Sequence, residues 1–188
     1  MGKKLILVAL LWFVIIFGFI GSKQMVIYTG KEVILKVEPV DPRDIFRGDY
    51  VALSYDINRI ELEEGSEYFH VGDTIYSILK KDNHYHVIDY VSKSLPQNNE
   101  MFIKGNIKQI DSEYDYSTKT SKKVLNTTYG IESYFVPEGK GKSIERSIST
   151  KQLAVLVSVD KYGNSVIKKL INLGKKKSLV IDKSATQK

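Results

Sequence analysis

Apolar and polar positions along the chain fall into two regimes. Leu5 to Ser22 carries no charge, and only glycines and one serine break its apolar run. As a helix this stretch is roughly 27 Å long, close to the hydrocarbon thickness of about 30 Å. Beyond a further apolar run, Met25 to Tyr28, the pattern changes to short runs with a period of two. Val33, Leu35 and Val37 alternate with Ile34 and Lys36, and Val51, Leu53, Tyr55 and Ile57 alternate with Tyr50, Ala52, Ser54 and Asp56. Each reads as a strand with one core-facing side.

The same pattern predicts a hairpin from Asp73–Lys81 and Tyr85–Val91, turning at Lys81 to His84. It predicts a strand over Met101–Ile110 with a bulge at Gly105, and a returning strand within Val124–Phe135. The final hairpin is Leu153–Val159 and Ser165–Leu173 around Asp160 to Asn164. Between these, Ile60 to Gly65 reads as an acidic turn or short helical piece, and Asp111 to Lys123 as a polar hairpin tip or loop. One helix is expected from Pro137 or Ser143 to Thr150, because proline suits a first helical turn. Many short, regularly spaced strands with one helix predict a mainly β (α+β) fold. It would be an antiparallel sheet or barrel-like sandwich preceded by one transmembrane helix.

The chain therefore divides into an anchor over residues 1–24, a domain over 25–182 and a frayed tail over 183–188. Phe19 or Ile20 sits three places before the available cleavage points, unlike the small-x-small pattern of a signal peptide, so an uncleaved anchor is expected. Lys3 and Lys4 ahead of the span hold that end in the cytoplasm and send the domain outside.

The most specific stretch runs from Pro39 to Tyr55. Pro39 and Pro42 push Glu38 and Asp41 toward extended backbone, so the chain crosses over without a long helix. Gly48-Asp49 then makes a tight turn into the alternating strand, and His70-Val71-Gly72-Asp73 repeats that grammar. Gly48-Asp49-Tyr50-Val51-Ala52-Leu53-Ser54-Tyr55 resembles the signature Gly-Asp-Tyr-x-x-Leu-x-Tyr of the bacterial GDYXXLXY family. Asp41-Pro42-Arg43-Asp44 and the segment Tyr129 to Gly141 are similar to that family as well. The resemblance implies a single-span or secreted extracytoplasmic domain, often encoded beside multi-span membrane proteins, and it implies no reaction.

Composition narrows the chemistry. With 43% hydrophobic and 27% charged residues the body is globular. The absence of cysteine excludes disulfides, thiolate zinc sites and cysteine nucleophiles. The net charge of +6 conceals a net −5 over residues 23–139 and a net +9 over residues 140–188. A basic end can meet lipid headgroups or envelope polymers, or simply keep one face solvated. No aromatic platform interleaves the basic residues, so nucleic acid is not an expected partner.

The candidate binding residues are Asp41, Arg43, Asp44, Arg47 and Asp49, with Tyr50, Tyr55, Tyr129, Glu132 and Glu138. The first five alternate in sign at a turn. They form either a pocket for an anion or peptide, or a set of ion pairs pinning an irregular crossover. The tyrosines, with Tyr134 and Phe135, are either an aromatic shelf or half-buried packing. Glu132 and Glu138 paired with Asp44 or Asp49 would be the carboxylates of a hydrolase. His84 and His86 beside Asp82, with His70, lack the spacing of a metal motif. Arg47-Gly48-Asp49 is explained by the family signature without an adhesion role. No metal, no cofactor and no catalytic residue is expected. The reading is a membrane-anchored binding or accessory module acting with a multi-span membrane protein or an envelope component, with a carboxylate-dependent envelope hydrolase as the alternative.

Overall fold

The computed structural model describes residues 2–39, 46–47, 50–62, 68–97, 99–115, 120–136, 144, 147–148, 150 and 153–173. Its class is the expected one: mostly antiparallel β, with a curled half-barrel sheet and one long N-terminal helix. That helix, α1, spans Gly2–Thr29. It therefore runs past residue 24 and takes Met25 to Tyr28 with it.

The strands are β1 (Lys31–Glu38), β2 (Phe46–Arg47), β3 (Tyr50–Ala52), β4 (Ser54–Tyr55), β5 (Arg59–Leu62), β6 (Thr74–Asp82) and β7 (Tyr85–Ser92). They continue with β8 (Phe102–Asp115), β9 (Thr120–Thr128), β10 (Ser133–Phe135), β11 (Leu153–Val159) and β12 (Ser165–Asn172). Among the described residues three sheets result, ordered β12-β11-β1-β4, β10-β3-β2 and β5-β9-β8-β6-β7. The alternation read from sequence is the observed burial: Val33, Leu35, Val37 and Val51 are fully buried, and Leu53, Tyr55 and Ile57 nearly so. These residues join Val155, Val157, Ile148 and Leu170 in the main core. A second cluster of Ile60, Phe69, Ile75, Ile107 and Leu125 draws on β5, β6, β8 and β9 of the five-stranded sheet. Bulges between Ile78 and Leu79 and between Ile107 and Gln109 bend that sheet, as an unpaired residue in an antiparallel ladder does.

Several local expectations change. Ile60 to Leu62 is not a turn or helical piece but part of β5, paired with Leu125, Val124 and Lys123. Its buried-exposed-half-buried pattern finds a partner strand, and pairing overrides the acidic composition. Of the two readings of Asp111 to Lys123, the hairpin holds and the loop does not, since β8 and β9 stay paired antiparallel out to Asp115 and Thr120. Gly105 is paired opposite Ile75 and is not the bulge. A side chain there would strike Thr127 Cγ2 and the Tyr129 ring at 2.7–2.9 Å. Of the helix expected up to Thr150, Ile144, Ser147 and Ile148 are helical, Thr150 is a turn residue, and the other positions of the segment, like the tail from residue 174, lie outside the described residues.

The four-stranded and five-stranded sheets meet where β1 faces β7. Strand β4 is too short to cover the whole edge of β1, pairing only with Val37 and Glu38. Farther along that strand, Ile34 N donates to His86 Nδ1 at 3.1 Å. A buried backbone N–H needs such a partner.

Burial holds the His86 pKa below its ordinary value, and the bond from Ile34 requires an unprotonated Nδ1. A depressed histidine pKa contributes stability that is fully present above about 6.5, the unfolded value, and lost as pH falls through the lower folded value. Urea midpoints measured from about pH 7.5 to about pH 5 should therefore fall more steeply for the native chain than for His86→Gln, whose amide oxygen accepts the same bond without titrating. Asp56, whose pKa burial raises, acts in the opposite sense and cancels in that comparison. Parallel profiles would contradict the role given to His86.

Candidate functional site

The signature strand and the segment Tyr129 to Val136 lie against each other. Residues 50–62 pass through all three sheets in turn. Strand β3 pairs with β10 through Tyr50↔Phe135, Val51↔Tyr134 and Ala52↔Ser133. Leu53 leaves that sheet, and its amide donates to Glu132 O at 2.7 Å. Strand β4 then joins β1, a 3-10 turn over Asp56–Asn58 redirects the chain, and β5 joins β9.

The changes of direction are held by side chains. Tyr55 N donates to Asn58 Oδ1 at 2.5 Å, and Asn58 Nδ2 donates to Thr127 O at 2.7 Å and to Glu132 Oε1 at 3.3 Å. Glu132 Oε1 also accepts from Tyr129 N at 2.5 Å, closing a turn around Gly130, whose φ of 77° suits glycine. Tyr55 OH donates to Ile131 O at 2.6 Å. Tyr129 OH donates to Ile57 O at 2.9 Å and lies 2.9 Å from Ser77 Oγ, which is left to act as the donor. Burial, reinforced by the charge of Glu132, pushes the Tyr55 phenol pKa well up. Burial does the same to Tyr129, with Ser77 working against it and the charges of Glu132 and Asp56 adding to it. Both phenols are neutral hydrogen-bonding groups here.

The ten candidate residues thus separate. Tyr55, Tyr129 and Glu132 come together, the two rings 2% and 6% exposed, inside the domain and not on a surface shelf. Tyr134 is also buried, and Phe135 faces solvent. Arg47 and Tyr50 oppose each other across the β2–β3 pair. Asp41, Arg43, Asp44, Asp49 and Glu138 lie outside the described residues. Glu132 Oε1 is engaged by two donors within the fold. No group of three or more histidines or acids among the described residues is placed to hold a metal.

Three residues were not singled out from sequence. Ser77 had a visible signal, a polar residue at an inward position between Ile75 and Leu79. Asn58 had none beyond its place at the end of an alternating run. Asp56 lines a groove of about 250 Å³ with Arg59, Glu61 and Asp89, and its Oδ1 is buried without a hydrogen-bond partner among the described residues. Burial raises its pKa, and nearby Lys36, itself bonded to Glu38 at 2.5 Å, only partly offsets this.

The family model described as GDYXXLXY protein matches residues 12–170. No curated protein and no solved structure matches the chain.

Tyr129→Phe leaves the Ile57 carbonyl and Ser77 hydroxyl short of a buried partner and should cost about 1–3 kcal/mol in urea unfolding. Glu132→Gln keeps an acceptor for Tyr129 N and should cost well under the loss from Glu132→Ala, which should approach about 3 kcal/mol. Equal losses in the two Glu132 variants would show that the carboxylate charge, and not the hydrogen-bonded turn, matters there.

Proposed function

The chain belongs to the GDYXXLXY family, and on that premise we propose that it is a membrane-anchored accessory or binding module. In this reading its β domain works outside the cytoplasm, at the membrane surface, on a membrane-protein or envelope partner. The observation that carries the proposal is the junction between helix and domain. Ile6–Thr29 is long and apolar enough to cross a bilayer, with a mean hydropathy of 2.3 in its most apolar window, none of which is buried against the domain. Only Gly30 separates α1 from β1.

The last helical turn is fastened to the domain. Val26 is buried, and its carbonyl accepts from Gly30 N at 3.0 Å and from Ser158 Oγ at 2.7 Å. A side chain at Gly30 would meet Ser158 Oγ, Val26 O at 2.5 Å and Val159 O at 2.9 Å, so the contact depends on glycine. A domain fastened in this way cannot sweep through the envelope as one on a flexible linker does. It suits a partner at the same membrane. Lys3 and Lys4 ahead of the span support the outward orientation.

A reporter active only outside the cytoplasm and fused after Lys188 should be active, with the protein retained in membranes at its full mass. A product shortened by about 22 residues would contradict the anchor, and an inactive reporter would contradict the orientation. A flexible glycine-serine insert of about ten residues after Gly30, spanning roughly 17 Å, should weaken in-cell crosslinking to a membrane partner without changing the melting of the domain. Undiminished crosslinking would contradict the surface-fixed reading.

A further inference from the structure

A cavity of about 400 Å³ opens where the anchor meets the domain, within the size range of small-ligand sites. Thr29 and Lys31 line it from the junction, Asn99 and Glu100 from the connection between β7 and β8, and Asp160 and Lys161 from the β11–β12 turn. These parts are held in place. Lys31 Nζ donates to Asn99 Oδ1 at 2.7 Å and to Asn99 O at 3.3 Å. Asp160 Oδ1 accepts from Tyr162 N at 2.8 Å and Asn164 N at 2.9 Å, fixing the turn that presents Lys161. Lys104 N donates to Gly163 O at 2.9 Å, tying the same turn to β8. Glu100 Oε1 accepts from Tyr90 OH at 3.0 Å.

The depth of the cavity follows from the helix. The 24 residues Ile6–Thr29 rise about 36 Å against a hydrocarbon core of about 30 Å, so the turn ending at Thr29 emerges among the headgroups. Tyr28, 77% exposed on that turn, and Tyr162, 55% exposed beside Lys161, are the amphipathic rings that favour this layer. Two lysines and two acids make the lining formally neutral, with both signs within one cavity. That suits a zwitterion better than a simple anion.

We infer that this cavity binds the headgroup of an ethanolamine phospholipid. Lys31 and Lys161 meet the phosphodiester, and Glu100 and Asp160 meet the ammonium, whose N–H donors a choline group lacks. The inference rests on the membrane-anchor reading, and it gives the domain a lipid contact that fixes its height and tilt at the bilayer.

The test uses the full chain in nanodiscs carrying photoactivatable phosphatidylethanolamine or phosphatidylcholine with the same acyl chains, and crosslinked peptides located by mass spectrometry. Ethanolamine lipid should crosslink at least about fivefold more than choline lipid, on peptides bearing Asn99 and Lys161. Lys31→Gln with Lys161→Glu, which removes both phosphodiester contacts, should bring crosslinking of both lipids at these peptides down to background. Lys161→Glu alone, at an exposed position, should lower crosslinking of the ethanolamine lipid at least about twofold without changing the melting temperature. Equal crosslinking of the two lipids by a chain that has entered the nanodiscs overturns the site and leaves the anchor standing. A chain that fails to float with lipid on a density gradient overturns the anchor, and with it the lipid assignment. Water-soluble glycerophosphoethanolamine is titrated against the chain in detergent. If it binds as tightly as the lipid and depends on the same lysines, the site belongs to a soluble phosphodiester and the lipid assignment is overturned.

Discussion

The turn from Tyr129 to Glu132 is the constraint on which the domain depends. Glu132 holds Tyr129 N with a side-chain oxygen and Leu53 N with its backbone carbonyl. One short segment thereby fixes both itself and the point where the signature strand leaves one sheet for the next. The sheets described have four, three and five strands, and those of the three-stranded sheet are only two or three residues long. Here they share a single run of chain, residues 50–62, and the hydroxyls of Tyr55 and Tyr129 tie its bends to the opposite wall of the core. Those hydroxyls are buried in an apolar surrounding, where a satisfied network rigidifies and a broken one is costly.

The second dependency is the passage from helix to sheet. Strand β11 is buried along its whole length, with β1 on one side, β12 on the other and the end of α1 packed against its Ser158 end. The helix is therefore an extension of the central strands of the domain, and on the anchor reading proposed above an orientation set by the bilayer would pass directly to the β body. The proposed binding role and the proposed headgroup site both draw on this junction, the first for its stiffness and the second for its depth.

Much of this was legible in the sequence because period-two alternation is a direct consequence of a sheet with one buried face. Val33 to Val37, Val51 to Ile57 and both late hairpins followed from it. What alternation does not carry is where a strand changes sheets: Val51, Leu53, Tyr55 and Ile57 look like one strand, and the break at Leu53 is made by a carbonyl 79 positions later in the chain, that of Glu132. Short strands such as β5 failed for a related reason, since Ile60 to Leu62 becomes a strand only through β9. The helix end was missed because Met25 to Tyr28 is equally apolar as helix or strand, and the deciding contact with Ser158 is remote in sequence. Of the candidate site, the sequence marked Tyr55, Tyr129 and Glu132 as belonging to matched segments. It could not show that Tyr55 and Tyr129 point into the core, because a tyrosine on an alternating strand has the same signature with its hydroxyl in water or under a carbonyl.

Native-state hydrogen exchange tests the central dependency most directly. The amides of Leu53, Tyr55 and Tyr129, all bonded to this clamp, should exchange only through global unfolding, with the denaturant dependence of the whole domain and an opening free energy equal to that of the β8–β9 ladder. Exchange of these three through local opening, while β8 and β9 remain protected, would contradict the account, because the clamp could then open without loss of the sheets it is held to join.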